Sequence, residues 1–358
     1  MNFEFLTFNL SFMSIDELFT IAVEEKASDL HLVVGMPPIL RIDGNLKPME
    51  GREVLSGKVA EELVYSILTP AQKALYIKDR ELDLSYELKN LSRFRVNLHW
   101  EKDNVGMVAR VISKKIPTMK DIQMPEIVFD FLGMDQGLVI ITGPTGCGKS
   151  TTLAAMVDHI NTNKSKNIIT LEDPIEFVFK PKKSIVKQRQ LTTDMLSFDN
   201  ALIHVLRQDP NVIMVGEMRD IDTIAATITL AETGHLVLAT LHTHNAAQTI
   251  DRIIDIFPPY QQQQIRLQLS ITLKGIVSQR LIPKIGGGRI AAREILVNTA
   301  AIANLIRENK IAQIRTVLQT SASEGMVTMD QTLADLFKSS LITKETAQAH
   351  MLNPEMLD

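Results

Sequence analysis

The sequence predicts an α/β protein in two parts: an α+β unit, then a unit with a parallel sheet and a helical C-terminal region. Helical patterns in the first hundred residues end in three strand-like runs, LDLSYEL, RFRVNLHW and VGMVARVI, which predict antiparallel strands. From about residue 125, apolar runs alternate with helical patterns, as in GLVIIT, NIITLED, NVIMVGE and HLVLATL. That alternation is typical of parallel strands joined by right-handed crossovers.

The first unit is predicted to span residues 13–112. Apolar residues at helical spacing in SIDELFTIAVEEKA predict a helix, and Ser14 with Glu17 has the spacing of a capping box. The stretch before it, MNFEFLTFNLSF, lacks the basic start and small-residue cleavage site of a signal peptide. We therefore expect Met13 to be the natural start and residues 1–12 to be a disordered or non-native leader.

The second unit is predicted to span residues 125–358, after a linker at 113–124 that carries Pro117 and several charges. Its last hundred residues have mainly helical patterns, apart from a hairpin expected around Gly286-Gly287-Gly288.

Composition limits the class of protein. The chain has 358 residues, 45% of them hydrophobic and 22% charged, with a net charge of -4, which is typical of a soluble globular protein. A single cysteine excludes an internal disulfide and a zinc site built from several thiolates. No apolar run approaches the length of about 20 residues that a membrane span needs. We expect a cytoplasmic location.

The strongest motif is Gly143-Pro144-Thr145-Gly146-Cys147-Gly148-Lys149-Ser150, followed by Thr151. It fits G-x-x-x-x-G-K-[ST] and lies between an apolar strand and a helix, the context in which this motif binds nucleotide phosphates. Backbone N–H groups and the helix N-terminus favour phosphate, Lys149 is expected to bridge the β and γ phosphates, and the Ser150 hydroxyl is expected to bind Mg²⁺. Cys147 has two interpretations: a redox-sensitive thiol activated by the helix N-terminus, or a small residue where no side chain is required.

Acidic residues follow two of the predicted strands. Glu172, Asp173 and Glu176 come after NIITL, and a catalytic base is expected among them because the carboxyl ends of parallel strands face the ligand crevice. Glu217 follows NVIMVG, where many P-loop enzymes carry an Asp near Mg²⁺. The longer side chain, placed after Gly216, is expected to reach Mg²⁺ or its waters.

Histidines and arginines complete the candidate set. His242 is expected at the phosphate edge as a sensor of the γ-phosphate, whereas His235, at the other end of the same strand, is expected to be mainly structural. Arg95 and Arg110 lie on strands of the first unit. They form either a salt-bridged sheet face or arginine fingers that reach a nucleotide held by another domain or subunit.

Taken together, these blocks resemble the type IV pilus retraction ATPases (the PilT/PilU type) within the secretion ATPase superfamily. The resemblance rests on GPTGCGKSTT, ITLEDPIEF, DPNVIMVGEMRD and AETGHLVLATLHT. It implies a PAS-like N-terminal domain, a RecA-like P-loop ATPase domain and a hexamer that uses ATP and Mg²⁺. In that family Glu176 matches the residue that polarises the attacking water and Glu217 matches the Walker B glutamate, which acts on Mg²⁺ through its hydration shell.

The same resemblance assigns His235 and His242 to the histidine box, and Arg95 and Arg110 to arginines that complete the site from the N-terminal domain. It implies docking at the cytoplasmic face of the inner membrane, on a platform protein of the pilus machine.

The retraction subclass is favoured over the assembly subclass by the cysteine content. Pilus assembly ATPases usually carry a four-cysteine zinc element, and this chain has one cysteine. Retraction, serving twitching motility and DNA uptake, is therefore the expected function. Residues 301–308 read AIANLIRE, with Ala303 where the family has Arg, so an accessory PilU-type paralogue that needs a partner ATPase stays open. A nucleotide-binding scaffold subunit and a DNA-translocating RecA-like motor are the remaining alternatives, although the low aromatic content and net negative charge oppose direct binding of nucleic acid.

Overall fold

The computed structural model describes residues 13–42, 44–88, 91–112 and 115–357. The leader expected at residues 1–12 lies outside the described residues. The chain divides into two compact units at the boundary between Lys115 and Ile116. Each unit has its own hydrophobic core and is described by itself.

The first unit is built on one antiparallel sheet of six strands, in the order β3-β2-β1-β6-β5-β4. Ser14 caps the first helix in the expected capping box with Glu17, which confirms that prediction. The elements are α1 (Ile15–Glu24), β1 (Asp29–Leu32), β2 (Ile39–Ile42), β3 (Asn45–Pro48), α2 (Gly57–Ser66), α3 (Pro70–Asp79), β4 (Glu81–Leu88), β5 (Ser92–Glu101) and β6 (Asn104–Ile112).

In this sheet one face is buried and the other is half-exposed. Strand β5 alternates between buried and half-buried residues along its length, as a strand with one covered face should. Phe94 and Val96 point into the core with Phe19 of α1, whereas Arg95 points to the other face. The alternation that predicted the strand therefore also assigns its faces.

The second unit is built on a seven-stranded sheet in the order β13-β12-β7-β11-β10-β8-β9. The strands are β7 (Gly137–Thr142), β8 (Asn167–Glu172), β9 (Ile185–Gln190), β10 (Val212–Val215), β11 (Leu236–Leu241), β12 (Leu273–Pro283) and β13 (Arg289–Val297). All neighbouring strands are parallel except β12 and β13, which form an antiparallel hairpin. The hairpin predicted around Gly286 is present, and its first arm continues the parallel sheet beside β7.

Helices cover both faces of this sheet. They are α4 (Glu126–Gly133), α5 (Lys149–Asn163), α6 (Phe198–Val205), α7 (Ile221–Glu232), α8 (Ala246–Asp255), α9 (Pro259–Thr272), α10 (Ala300–Arg307), α11 (Ile314–Thr320), α12 (Met329–Lys338) and α13 (Lys344–His350). Two apolar clusters lie on either side of the strands, and a third packs the last helices against the hairpin. Strands β7 and β11 are buried along their full length, which explains their unbroken apolar sequences.

Among the described residues, none of the helices combines the length and the apolar character that a membrane span requires.

Candidate active site at the carboxyl edge of the parallel sheet

The glycine-rich loop connects the end of β7 to the start of α5. Gly143, Gly146 and Gly148 have φ of 144°, 77° and 88°, a region that L side chains rarely adopt. At Gly143 a side chain is also excluded by space, since a Cβ there would lie 2.3 Å from the backbone oxygen of Gln279. The loop therefore has the conformation that its glycines predict, with backbone groups lining it instead of side chains.

Lys149 begins helix α5 and folds back over this loop. Its Nζ donates to the carbonyl oxygens of Gly143 (2.8 Å) and Pro144 (3.2 Å) and lies 3.5 Å from Nδ1 of His242. Burial lowers the pKa of Lys149, while the negative charges of Cys147 in its thiolate form, Glu217 and Glu176 act in the opposite direction. The ammonium is thus close enough to two of the predicted acids to interact with both.

Glu217 follows β10 and is held from two sides. One carboxylate oxygen lies 3.2 Å from Nε2 of His242, and the other pairs with Nη2 of Arg219 at 2.8 Å. Burial alone would raise the pKa of Glu217, but the hydrogen bond and charge of Arg219, together with His242 and Lys149, hold it below the usual value. Glu217 is therefore maintained as a carboxylate.

Sequence reasoning did not single out Arg219. The sequence feature that could have identified Arg219 is its position two residues after Glu217, because residues two apart in an extended segment point to the same side.

The turn that carries Glu217 is fixed through Gly216. The Gly216 N–H donates to the Leu171 carbonyl (2.8 Å), and the Thr240 hydroxyl donates to the Gly216 carbonyl. A Cβ at Gly216 would lie 3.1 Å from the Leu171 oxygen, so glycine permits this approach to β8. Gly216, which places Glu217 one position later than the usual acid, thereby lets the chain pack against β8.

A chain of threonines positions the loop that carries His242. The Thr142 hydroxyl lies 2.8 Å from the Thr243 carbonyl and accepts from the Thr243 N–H at 3.0 Å. The Thr243 hydroxyl lies 2.6 Å from that of Thr249 on α8. The end of β7, the His242 loop and α8 are thus tied together, which places His242 beside Lys149.

His235 lies at the opposite end of β11 from His242. In the parallel register Leu236 pairs with Gly137 and Leu241 with Thr142, so the two histidines lie at opposite edges of the sheet. His235 Nδ1 is 3.0 Å from the Leu230 carbonyl at the end of α7. This placement agrees with a mainly structural residue and separates His235 from the site.

The acidic loop after β8 is anchored by two glutamines of β9. The Gln188 side chain accepts from the Phe179 N–H (2.8 Å) and donates to the Phe177 carbonyl (2.7 Å), while Gln190 accepts from the Ile175 N–H (3.1 Å). The Asp173–Pro174 peptide bond is cis. Strand β9 was not predicted from the sequence, because its residues IVKQRQ alternate without the apolar run that marks a central strand.

Glu172 is the buried member of the acidic group. Its carboxylate accepts from the Thr170 hydroxyl (2.7 Å), from Gln188 Nε2 (3.0 Å) and from the backbone N–H of Glu176. Burial raises the pKa of Glu172 to about 7, and these three hydrogen bonds oppose that rise. Glu172 thus supports the backbone of Glu176, which is half-buried and whose charge acts on Lys149.

The environment of Cys147 bears on its two interpretations. The residue is 3% exposed, and burial raises the pKa of its thiol while the charge of Lys149 opposes the rise. A redox role would require a lowered thiol pKa and access for an oxidant. The surroundings of Cys147 instead favour a small residue packed under the loop.

Arg95 and Arg110 belong to the first unit. They lie directly opposite each other on β5 and β6, and Arg110 Nε donates to the buried carboxylate of Asp29 at 2.9 Å. Asp29 is also 3.9 Å from Nε of Arg41. Within this unit Arg95 and Arg110 therefore lie in one row with Arg41, and Asp29 lies between Arg110 and Arg41.

The residues present at the sheet edge fit a nucleotide with its divalent cation. The Ser150 hydroxyl and the Glu217 carboxylate offer the oxygen ligands that Mg²⁺ prefers. The loop offers backbone N–H groups and the start of a 15-residue helix to phosphate. Groups of three or more His, Cys, Asp or Glu side chains that could hold a metal by themselves are absent from the described part of the chain.

Comparison with known proteins identifies the family. Residues 10–288 match the family described as "Type II/IV secretion system protein". The chain is 46% identical to the type IV pilus retraction ATPase PilT of Pseudomonas aeruginosa, over 96% of this chain and 99% of that protein. It is 39% identical to the type IV pilus ATPase PilU of the same organism, over 94% and 88% of the two chains.

Solved structures agree with these relatives. A crystal structure of the pilus retraction motor PilT with bound ADP superposes with a TM-score of 0.90 at 45% identity, covering 97% of this chain and 99% of that one. Both the fold class and the resemblance drawn from the four sequence blocks are confirmed. The chain is therefore a member of the type II/IV secretion system protein family, of the kind represented by the pilus retraction ATPases.

Proposed function

We propose that this protein is an ATP-hydrolysing motor subunit that powers type IV pilus retraction, and through it twitching motility and DNA uptake. The observation that carries the proposal is the convergence of Lys149, Glu217 and His242 at the mouth of the glycine-rich loop, with contacts of 3.2 and 3.5 Å between them. The greater identity to PilT than to PilU supports a motor over an accessory subunit.

Each residue of the site receives a role in ATP hydrolysis. Residues 143–151 bind the phosphates through backbone N–H groups, and Lys149 leaves its contacts with the Gly143 and Pro144 carbonyls to meet the β and γ phosphates. Glu176 accepts a proton from the attacking water, and His242 senses the γ-phosphate. Ser150, and Glu217 through water, hold Mg²⁺, which when bound neutralises charge on the phosphate oxygens.

The arginines of the first unit are proposed to complete the site. Arg110 has a 68% exposed side chain, so its guanidinium is available beyond its bond to Asp29. An arginine supplied by another domain or subunit stabilises charge that develops on the transferred phosphoryl group and raises the rate by orders of magnitude.

At the level of the assembly, we infer a homohexamer docked at the cytoplasmic face of the inner membrane on a platform protein. Its domains are a PAS-like one at residues 13–112 and a RecA-like one at 125–358, joined by residues 113–124. A paralogous retraction ATPase is a further partner, because PilU-type relatives are similar over most of the chain.

The accessory alternative rests on Ala303, which is half-buried on α10 in the segment AIANLIRE.

A motor that needs a partner would hydrolyse ATP slowly alone and faster in a mixed assembly, whereas a scaffold subunit would bind ATP without turnover. Lys149, Ser150, Glu176 and Glu217 are all present, which favours turnover.

The test is ATP turnover by the purified full chain, alone and with a PilT-type relative, in the presence and absence of Mg²⁺. We expect Mg²⁺-dependent hydrolysis by the chain alone, and loss of twitching in cells that lack it. Turnover only in the mixture would support the accessory paralogue. ATP binding without turnover in either sample would support the scaffold, and stimulation by DNA that falls steeply with salt would support a DNA translocase.

A further inference from the structure

Behind the glycine-rich loop, on the neighbouring strand β12, lies a buried glutamine to which no role has been given so far. Gln279 is 1% exposed. Its Nε2 donates to the Cys147 carbonyl at 2.7 Å, and its Oε1 accepts from the Thr152 hydroxyl on the first turn of α5 at 2.9 Å. One side chain therefore joins the loop to the helix that follows it.

The sheet register explains why this residue meets the loop. Strand β12 runs parallel to β7 with Ser278 opposite Thr142, so Gln279 lies beside the first residue of the loop. Its backbone oxygen is 2.3 Å from where a Cβ of Gly143 would lie, and its Nε2 is 3.3 Å from where a Cβ of Gly148 would lie. Gln279 thus contacts the loop at both of its ends.

The bond to Cys147 has a consequence for phosphate binding. In a trans peptide the C=O of one residue and the N–H of the next point in opposite directions. Because Gln279 holds the Cys147 carbonyl toward β12, the Gly148 N–H must point away from β12. Backbone N–H groups of such loops are the donors that surround a phosphate.

We propose that Gln279 is a positioning residue that sets the Cys147–Gly148 peptide in the orientation required for phosphate binding. The role requires an uncharged side chain with both a donor and an acceptor, because the Cys147 carbonyl needs a donor and the Thr152 hydroxyl needs an acceptor. The inference rests on the proposed function, since it assigns Gln279 to the same nucleotide site.

The first experiment measures ADP affinity by calorimetry on the full chain with Mg²⁺, for the wild type and for Gln279→Leu. We expect binding about tenfold weaker in Gln279→Leu, the effect of losing one oriented hydrogen bond. The kcat at saturating ATP should change far less than KM, because the contact is made equally in the ground and transition states. A wild type that binds no ADP would overturn the proposed function, whereas equal binding by both chains would overturn only the role of Gln279.

The second experiment uses Gln279→Glu. If the side chain at position 279 only filled space, the ADP affinity of this variant relative to the wild type would not depend on pH. As a carboxylate this side chain still accepts from Thr152 but repels the Cys147 carbonyl, and as an acid it can donate to that carbonyl again. We expect the ratio of the variant's ADP Kd to the wild type's to fall several-fold as the pH is lowered from 8.5 to 5.5. Titration of ADP, Cys147 and Lys149 is common to both chains and therefore cancels in this ratio. A ratio that is flat with pH would overturn the inference.

A matched pair at the other end of the bridge keeps the test decisive if Gln279→Leu does not fold. Thr152→Val removes the hydroxyl with little change of shape, and Thr152→Ser retains it. We expect ADP binding about threefold weaker in Thr152→Val and close to wild type in Thr152→Ser, since the bond to Cys147 remains in both. Equal affinity in the two variants would show that the bridge does not position the loop.

Discussion

The two sheets of this protein distribute their polar groups in opposite ways. In the seven-stranded sheet the central strands are almost entirely apolar, and the polar side chains of Lys149, Glu217 and His242 lie at one edge, in loops or at the start of α5. In the six-stranded sheet the polar residues, among them Arg95 and Arg110, alternate with apolar ones and cover one whole face. A parallel sheet buried on both faces leaves only its edges for polar chemistry, whereas an antiparallel sheet with one open face does not.

Because of this difference, a functional site is easier to identify at the edge of the parallel sheet than on the open face of the antiparallel sheet. At the parallel edge several strands end together, so residues far apart in sequence meet, and each is supported by hydrogen bonds to its neighbours. On the antiparallel face the strand register makes the arginines neighbours, and Arg110 is also bound to Asp29. We therefore expect substitutions at the edge to change chemistry, and substitution of Asp29, the acid that supports the arginines of the face, to change mainly stability.

The largest effect is expected from Lys149→Ala. Removing the ammonium eliminates a positive charge at the developing phosphoryl charge, so ATP turnover should fall by roughly 10²- to 10³-fold or more. The measurement is phosphate release by the purified chain. Lys164→Ala is the matched control, because Lys164 lies at the other end of α5 and donates to the Gly133 carbonyl. Comparable loss in the control would show that turnover depends on the helix as a whole.

A comparably selective effect is expected from Glu176→Gln. The amide cannot accept the proton of the attacking water, so turnover should fall by about 10²-fold while ATP binding is retained. Binding and phosphate release are measured on the same samples. Asp173→Asn, an exposed acid of the same loop, serves as the control. Robust hydrolysis by Glu176→Gln would remove that residue from the role of base.

A smaller effect, on stability, is expected at Glu172 as the pH changes. The folded pKa is about 7 against an ordinary value of 4.5, so between these two pH values the folded chain keeps a proton that the unfolded chain has released. The free energy of unfolding should therefore decrease as the pH rises through this window, by at most about 1.4 kcal/mol per pH unit from this group.

The Glu172→Gln variant lacks this titration. Urea unfolding at several pH values should show it gaining stability relative to the wild type as the pH rises from 5 to 7.5. A constant difference between the two chains across that range would contradict a raised pKa at Glu172.

Much of the candidate site at the edge of the parallel sheet could be predicted from the sequence. The residues that were not predicted were missed for a physical reason. Lys149 and Glu217 each lie within a few residues of the end of an apolar run, so strand ends and parallel topology bring them together. Arg219, Gln188 and Gln279 were not found, because their roles depend on which strand lies beside which and on a register that no short motif encodes. Strand β9 was missed for the related reason that an edge strand has no continuous apolar run.

The smallest effect is expected on the antiparallel face, from Asp29→Asn. Asp29 is 5% exposed and is the acid between Arg110 and Arg41, so removing its charge weakens a charge-assisted hydrogen bond and leaves like charges side by side. We expect thermal unfolding to show a loss of about 1 to 2 kcal/mol, with ADP affinity unchanged. Asp83→Asn, on the edge strand β4 of the same sheet, is the control for charge alone. If Asp29→Asn instead left stability intact and reduced ATP turnover, Asp29 would act by positioning Arg110 for catalysis, and the contrast between the two sheets would not hold.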